Sequence, residues 1–301
     1  MLSIYLDLIY IKSYNLKFIK PHKPTFLKNK PNDDICCFLL NHSIRKPMKH
    51  KTITNLVVFL IIIFFSSCTL KKKAPSPQVY SQNTKITSLS ESKKLIQKVH
   101  KNNSQTLYCG CSYKGMKPNL SSCGYIAKKD KKRANRIEWE HVVPAHAFGK
   151  SFSEWRDGHP KCVKKNGTKF KGRKCAEKVN EEYRRMQADM FNLYPAIGEV
   201  NGRRSNYSMA MIKGELREFG KCDVEINNKK IEPRESIRGE IARTYMYMDS
   251  VYPGRGIISK KNRKLFDAWE KSDPVDEWEC ERAKRIEKIQ GNRNNVVIGN
   301  C

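Results

Sequence analysis

Two segments of the chain concentrate side chains that acid–base and metal chemistry use. They are residues 136–149 (RIEWEHVVPAHAFG) and residues 187–208 (QADMFNLYPAIGEVNGRRSNYS). Glu140 and His141 are adjacent in the first segment, at the end of a predicted strand. Neighbouring strand side chains point to opposite faces, so both reach one substrate only if the chain turns there, and Pro144 predicts that turn. His141 then suits a general base, because histidine titrates near neutral pH.

The same segments offer oxygen ligands for a hard cation. Glu140 supplies a carboxylate and Asn192 a neutral amide oxygen. Mg²⁺ prefers such ligands and keeps several waters, which would leave it open to a phosphate oxygen. We therefore expect one Mg²⁺, or another divalent ion, at Glu140 and Asn192. On these residues alone, an ordinary hydrogen-bonded histidine remains the competing interpretation of His141.

Basic and polar side chains follow Gly202. Arg203, Arg204 and Asn206 are predicted to bind the phosphate backbone of a nucleic acid.

The elements that must position these residues indicate an α+β fold that is mostly helical. A strand rich in β-branched and aromatic residues is predicted over 137–143. Apolar side chains at helical spacing predict helices that start at Ser88 or Ser90 and that cover 181–192, 237–252, 261–271 and 276–290.

The charge balance points to a polyanionic partner. The 301 residues include 59 Lys and Arg against 30 Asp and Glu, a net charge of +29. Such an excess favours a nucleic acid or an anionic membrane surface. Only ten of the basic and three of the acidic residues lie in the first 68 positions, so the excess belongs to the later part. The composition excludes a multi-span membrane protein and argues against disorder of the full chain.

The N-terminal third has the pattern of an export signal. The apolar run 56–65 would rise about 15 Å as a helix, which is too short to span a bilayer. It follows a basic stretch that begins at Met48, and it precedes Ser66, Ser67 and Cys68. Small residues before a cysteine resemble a bacterial lipobox, so we expect lipidation of Cys68. Ordinary cleavage nearby and an uncleaved anchor are the alternatives.

These features divide the chain into four parts. Residues 1–47 are a leader or reflect a start placed too far upstream, and 48–68 are the export signal. Residues 69–87, rich in Lys, Pro and Ser, are a flexible tether, and 88–301 form one domain.

The domain carries an even number of cysteines, which favours disulfides in an exported protein. Four bonds would use all eight, but 105 pairings exist and the sequence assigns none. A zinc site is the alternative, although the domain has no C-x-x-C pair. The eight residues are Cys109, Cys111, Cys123, Cys162, Cys175, Cys222, Cys280 and Cys301.

Several motifs in order resemble bacterial endonuclease I, a family of exported, disulfide-bonded nucleases. They are EWEHVVPAHAFG, DMFNLYPAIGEVNGRRSNYS, CGCSYKG, GEIARTYMYM and WECERAKRIEKIQGNRNNV, and the resemblance covers residues 107–301. It implies a ββα-metal core, also called the His-Me finger. It further implies that His141 is the general base and that Glu140 and Asn192 are the metal ligands. Arg173, within the stretch 172–175, is then the arginine that contacts the scissile phosphate.

The resemblance implies a function as well. We expect a monomeric, metal-dependent endonuclease that cleaves DNA and RNA without sequence specificity and leaves 5′-phosphate ends. Its location would be the periplasm, the outer membrane as a lipoprotein, or the medium. The alternative is a non-catalytic surface lipoprotein that binds DNA, because backbone binding needs only Lys and Arg.

Overall fold

The computed structural model describes residues 81–301. The predicted leader, the export signal, the lipidation site at Cys68 and most of the tether lie outside these residues. Within the described part, packing begins upstream of the predicted domain start at residue 88. Asn83 and Ile86 are both buried, and the Asn83 side chain donates to the carbonyl oxygens of Ile86 and Arg185. No helix between residues 81 and 301 has both the length and the apolar character needed to cross a membrane.

The fold is α+β and mostly helical, as predicted. The helices are α1 (Leu89–Val99), α2 (Lys131–Ala134), α3 (Ala145–Gly149), α4 (Ser153–Arg156), α5 (Arg173–Val179), α6 (Glu181–Ala188), α7 (Gly198–Arg204), α8 (Arg238–Val251), α9 (Lys260–Ser272), α10 (Glu277–Gln290) and α11 (Asn295–Ile298). The strands are β1 (Tyr113–Lys114), β2 (Lys117–Pro118), β3 (Ile137–His141), β4 (Leu193–Ile197), β5 (Ser208–Met209), β6 (Val224–Asn227) and β7 (Lys230–Pro233). Short 3-10 turns cover Leu120–Cys123, Met190–Asn192 and Glu235–Ile237.

A two-stranded sheet followed by a helix forms the centre of the domain. Strands β3 and β4 are antiparallel, with Ile137 opposite Ile197 and His141 opposite Leu193. Helix α7 follows β4 without a loop and packs against both strands. This β3–β4–α7 unit has the ββα order that the resemblance implied.

Two glycines let α7 lie close to its neighbours. A Cβ atom on Gly198 would stand 2.7 Å from the carbonyl oxygen of Arg133, and one on Gly202 would collide with the Arg133 guanidinium. Real Cβ atoms do not approach so closely. Gly198 is therefore required by the backbone of Arg133, whereas a side chain at Gly202 would displace the Arg133 guanidinium.

The remaining elements surround this unit. A second sheet has the order β5–β7–β6, with β5 parallel and β6 antiparallel to β7. Helix α8 is largely buried, and its Ile241, Tyr245 and Met248 lie in the core. A buried ion pair between Arg243 and Glu279 joins α8 to α10. The hydrophobic core thus extends from the central sheet under the C-terminal helices.

Several helices begin with a side-chain cap, at residues whose type favours that position. Ser88 accepts from the Glu91 amide at the start of α1, and Asp276 accepts from the Glu279 amide at the start of α10. Capping of this kind satisfies amides that have no partner within the helix. The predicted helix over 181–192 is shorter than expected. It ends at Ala188, because Asp189 leaves helical geometry and caps a separate 3-10 turn.

Four disulfides use all eight cysteines of the domain, as predicted. The pairs are Cys109–Cys222, Cys111–Cys123, Cys162–Cys175 and Cys280–Cys301. The first joins residues 113 positions apart, whereas the other three close short loops.

The disulfides differ in their expected contributions to stability. Replacing both Cys109 and Cys222 by Ser should lower the unfolding free energy by about 5 kcal/mol, because the bond restricts a long loop in the unfolded chain. The same change at Cys280 and Cys301, which close a 21-residue loop, should cost about 3 kcal/mol. Urea unfolding under oxidising conditions measures both values. Equal losses would show that loop length does not control the effect.

Candidate active site

A polar cleft of about 480 Å³ lies at the end of the central β3–β4–α7 unit. Its lining combines side chains from β3, α7, α5 and α1, and includes both members of the predicted base–carboxylate pair. The residues that matter for its chemistry are Lys93, Glu140, His141, Arg173, Asn201 and Asn206.

One hydrogen bond sets the tautomer of His141. Its Nε2 lies 2.8 Å from the carbonyl oxygen of Gln187. A carbonyl oxygen only accepts, so Nε2 carries the proton and Nδ1 keeps its lone pair. Burial, reinforced by the charge of Arg173, lowers the pKa of His141 to about 3. The imidazole is therefore neutral at physiological pH and can accept a proton at Nδ1.

Glu140 is buried, with one oxygen engaged and the other available. Its Oε1 accepts from the Tyr108 hydroxyl at 3.0 Å and from Nη1 of Arg204 at 2.8 Å. Its Oε2 has no hydrogen-bond partner among residues 81–301. Burial raises the pKa of Glu140 to about 7, while the Arg204 guanidinium and the Tyr108 hydroxyl oppose that rise. The unpaired Oε2 is therefore a candidate ligand for a cation.

Arg204 serves the protein interior and not a nucleic acid. Its side chain is only 1% exposed and donates to Glu140 and to the carbonyl oxygens of His141 and Val142. The protein itself supplies the counter-charge and the acceptors for both Nη atoms of this buried cation. The predicted contact of Arg204 with backbone phosphate does not fit this placement, because its donors are turned inward.

Arg203 and Asn206, the other two residues predicted to bind backbone phosphate, lie in different surroundings. Arg203 donates to Glu218 at 2.8 Å and lies over the ring of Phe219, beside a different cavity. Asn206 is exposed and lines the cleft. Of the three residues predicted to bind backbone phosphate, Asn206 alone is both exposed and part of the cleft.

The structure does not bring Asn192 into the cleft. Asn192 is fully buried, its Oδ1 accepts from the Val143 amide at 2.7 Å, and its Nδ2 donates to the Val143 carbonyl at 3.0 Å. Both polar atoms of the amide thus hold the turn that follows β3. The expected role of Asn192 as a metal ligand does not fit this placement.

Asn201 occupies the position that Asn192 was expected to fill. It lies on α7 and lines the cleft, and its Nδ2 donates to Oε2 of Glu138 at 2.9 Å. That bond orients the amide and leaves Oδ1 without a hydrogen-bond partner among the described residues. Asn201 precedes Arg204 by three positions, which places the two side chains on neighbouring parts of the helix surface.

Arg173 stands at the first position of α5, where it is exposed at the cleft. Its Nη2 lies 3.4 Å from Oε1 of Gln187, and the Cys162–Cys175 disulfide fixes the helix that carries it. Gln187 thus contacts both Arg173 and His141. Sequence analysis did not identify Gln187, because the acceptor is its main-chain carbonyl, a group that every residue type has.

Lys93 of α1 was also missed. It is half-buried in the cleft, and burial followed by the charge of Arg173 lowers its pKa. The sequence gives no signal for it, since one lysine on a lysine-rich helix looks like any other.

Comparison with known proteins gives a consistent result. The family model described as Endonuclease I matches residues 67–299. The chain is 41% identical over 273 residues to Endonuclease-1 of Buchnera aphidicola subsp. Acyrthosiphon pisum, an alignment covering 88% of this chain and 97% of that protein. It is 41% identical to an extracellular deoxyribonuclease of Aeromonas hydrophila, over 72% of this chain and 90% of the relative. A periplasmic deoxyribonuclease of the same organism is 42% identical, over 68% and 82%.

The buried Arg204 and its partly buried neighbour Arg203 allow a matched test of stability. Arg204→Met should lower the unfolding free energy by about 3 to 5 kcal/mol, because it leaves the buried Glu140 carboxylate without its counter-charge. Arg203→Met removes an arginine one position away and should cost about 1 kcal/mol or less, since its partner Glu218 keeps access to water. Urea denaturation of both variants gives the comparison. Equal costs would contradict the structural role assigned to Arg204.

Proposed function

Because this chain belongs to the endonuclease I family and is an exported nuclease, we propose that its cleft hydrolyses phosphodiester bonds with the help of one divalent metal ion. The observation that carries the proposal is that His141, Glu140 and Arg173 line one cleft, with Nδ1 of His141 and Oε2 of Glu140 not used by the hydrogen bonds that those two side chains make. A general base, an anionic metal ligand and a planar cation are the groups that hydrolysis of a phosphodiester bond uses. DNA binding without catalysis would need none of these except the cation.

The oxygens of the cleft fit a divalent ion. Glu140 Oε2 and Asn201 Oδ1 are hard donors without hydrogen-bond partners in the described part of the chain, and both residues line the cleft. A carboxylate and an amide oxygen suit Mg²⁺, which retains waters for its remaining positions. We therefore assign the ligand role to Glu140 and Asn201 in place of Asn192. When bound, the ion supplies positive charge to the phosphate and to the leaving 3′ oxygen.

His141 acts as the general base in this proposal. Nδ1 takes a proton from a water molecule as that water attacks phosphorus and the bond from phosphorus to the 3′ oxygen breaks, while Nε2 keeps its hydrogen bond to the Gln187 carbonyl. The leaving 3′ oxygen takes its proton from solvent. The lowered pKa means that the ring is unprotonated at neutral pH, so the Nδ1 lone pair is not already occupied by a proton.

Arg173 stabilises the negative charge that develops on the phosphate. A guanidinium presents several donors in one plane, which matches phosphate oxygens. The side chain of Gln187 restrains it from one side, and the disulfide at Cys175 restrains the helix.

The proposal extends to substrate, product and location. The residues placed at the reaction address the phosphate and not a base, so we propose cleavage of DNA and RNA without sequence specificity and with 5′-phosphate products. The Aeromonas relatives are named deoxyribonucleases. We also propose that the nuclease acts as a monomer in the periplasm, in the medium or on the outer membrane. An export signal over 48–68 and lipid attachment through Cys68 belong to the same proposal.

Removing the proposed base should separate catalysis from binding. His141→Ala should lower the rate of plasmid nicking by about 10²- to 10⁴-fold, which is the usual contribution of a general base. Binding of duplex DNA should persist, because its affinity comes from many phosphate contacts. Nicking assays and filter binding on the same protein measure the two properties.

Chelation and end analysis complete this test. EDTA should stop nicking by the wild-type enzyme, and Mg²⁺ should restore it. Products of DNA and RNA should be substrates for a 5′-phosphate-dependent exonuclease. Full activity in EDTA or in the His141→Ala protein would overturn the proposed chemistry.

The two asparagines allow the ligand assignment to be tested directly. Asn201→Ala should weaken Mg²⁺ binding and cleavage by at least about tenfold with little change in stability, because it removes an accessible oxygen. Asn192→Ala should instead lower the unfolding free energy by about 1 to 3 kcal/mol, since it leaves the buried Val143 amide and carbonyl unpaired. Calorimetric Mg²⁺ titration and thermal unfolding distinguish these effects. The opposite pattern would return the ligand role to Asn192.

A further inference from the structure

A strongly basic surface segment lies next to the cleft and is not used by the chemistry proposed above. Residues 161–171, here called the basic hairpin, contain five lysines and no acidic residue. All five lysine side chains are exposed. They are Lys161, Lys164, Lys165, Lys169 and Lys171.

The basic hairpin has a defined backbone structure. Val163 and Lys169 pair as an antiparallel bridge, and the Lys164 amide donates to the Thr168 carbonyl at 2.9 Å. The turn between them contains Gly167, whose φ of +81° suits glycine. The lysines therefore lie on a segment that is already folded before any ligand binds.

The basic hairpin is fastened to the helix that carries Arg173. The Cys162–Cys175 disulfide joins the first strand of the hairpin to α5, two residues beyond Arg173. The Gly172 amide donates to the Trp155 carbonyl at 3.0 Å, and Lys178 Nζ donates to the Lys161 carbonyl at 2.6 Å. Because of these bonds, the position of the hairpin is coupled to the position of the phosphate-binding arginine.

The charge of the hairpin is uncompensated by the fold. Among residues 81–301, no carboxylate forms an ion pair with any of its five lysines. Five like charges on a short segment repel one another. An anionic ligand that runs past the cleft would relieve that repulsion.

We propose that the basic hairpin binds backbone phosphates of the polynucleotide several nucleotides away from the cleaved bond. This inference rests on the proposed function, because it takes the substrate in the cleft to be a nucleic acid. Arg173 lies six positions after Gly167 in the turn, a reach of at most about 20 Å. With about 3.4 Å of rise per nucleotide of one strand, that reach corresponds to about six nucleotides.

The proposal predicts an effect that depends on substrate length and salt. The variant Lys164→Gln/Lys165→Gln/Lys169→Gln should bind a 30-base-pair DNA duplex at least about tenfold more weakly at low salt in the presence of EDTA. The slope of log affinity against log salt should become shallower by about 0.9 for each phosphate that the variant no longer neutralises. Cleavage of the duplex should show a raised KM with an unchanged kcat. Cleavage of a dinucleotide, which has no phosphate beyond the cleaved one, should be unchanged.

A matched control removes three lysines elsewhere. Lys98, Lys284 and Lys288 are exposed on α1 and α10 and do not line the cleft, so their replacement by Gln changes the net charge equally. This control should retain the wild-type salt slope to within about 0.9, the value of a single phosphate. A Lys→Arg version of the hairpin variant should retain the slope too. Fluorescence anisotropy at several salt concentrations measures the slopes.

Several outcomes would overturn the proposal. One is a hairpin variant with the wild-type affinity and slope, and another is an equal reduction in the control. A third is binding to vesicles of anionic lipid that the hairpin variant loses while its DNA slope stays unchanged, because the hairpin would then serve a membrane surface. The binding assay in EDTA needs no catalysis, so failure of the proposed nuclease chemistry would remain distinguishable.

Discussion

The cleft depends on one buried ion pair, between Arg204 at the end of α7 and Glu140 near the end of β3. The guanidinium also binds the carbonyl oxygens of His141 and Val142, so a single side chain ties the helix to the point where the strand turns. Taking both charges out of water is costly, and their mutual attraction together with the hydrogen bonds to Tyr108 and to the two carbonyl oxygens offsets that cost. Occupying Oε1 of Glu140 in this way leaves Oε2 for another cation. The Glu140 carboxylate therefore stabilises the fold through Oε1 and offers Oε2 to the cleft.

A second buried polar network joins helix α10 to strand β4 and to the segment that precedes it. Arg282 of α10 is buried and donates to the carbonyl oxygens of Met190 and Leu193 and to the Tyr194 hydroxyl. Nearby, the buried carboxylate of Asp189 accepts from two tyrosine hydroxyls, from a glutamine amide and from the Phe191 main chain. These bonds fix the segment between α6 and β4. Gln187 lies near the end of α6, two residues before Asp189, so the C-terminal helices help to hold its carbonyl toward His141 without lining the cleft.

Much of the fold was accessible from the sequence, because periodicity and capping residues act locally. The helices that begin after Ser88 and Asp276 lie within a residue of their predicted starts, and strand β3 begins at Ile137 as expected. The disulfide pairing was not accessible, since proximity in space leaves no trace in spacing along the chain. Predicting one helix over 181–192 was wrong because Asp189 exchanges helical hydrogen bonds for a buried network.

In the site, Glu140, His141 and Arg173 lie at one cleft, as their types and motifs suggested. Asn192 and Arg204 were harder to judge, because burial decides whether a polar side chain serves a ligand or the fold, and burial is a property of the whole chain. The Gln187 carbonyl illustrates the converse. Since the acceptor that fixes the His141 tautomer is a main-chain atom, side-chain substitution at position 187 does not delete it. The orientation of the base is thereby robust to mutation at its own contact, and genetic variation reaches it only by displacing the backbone.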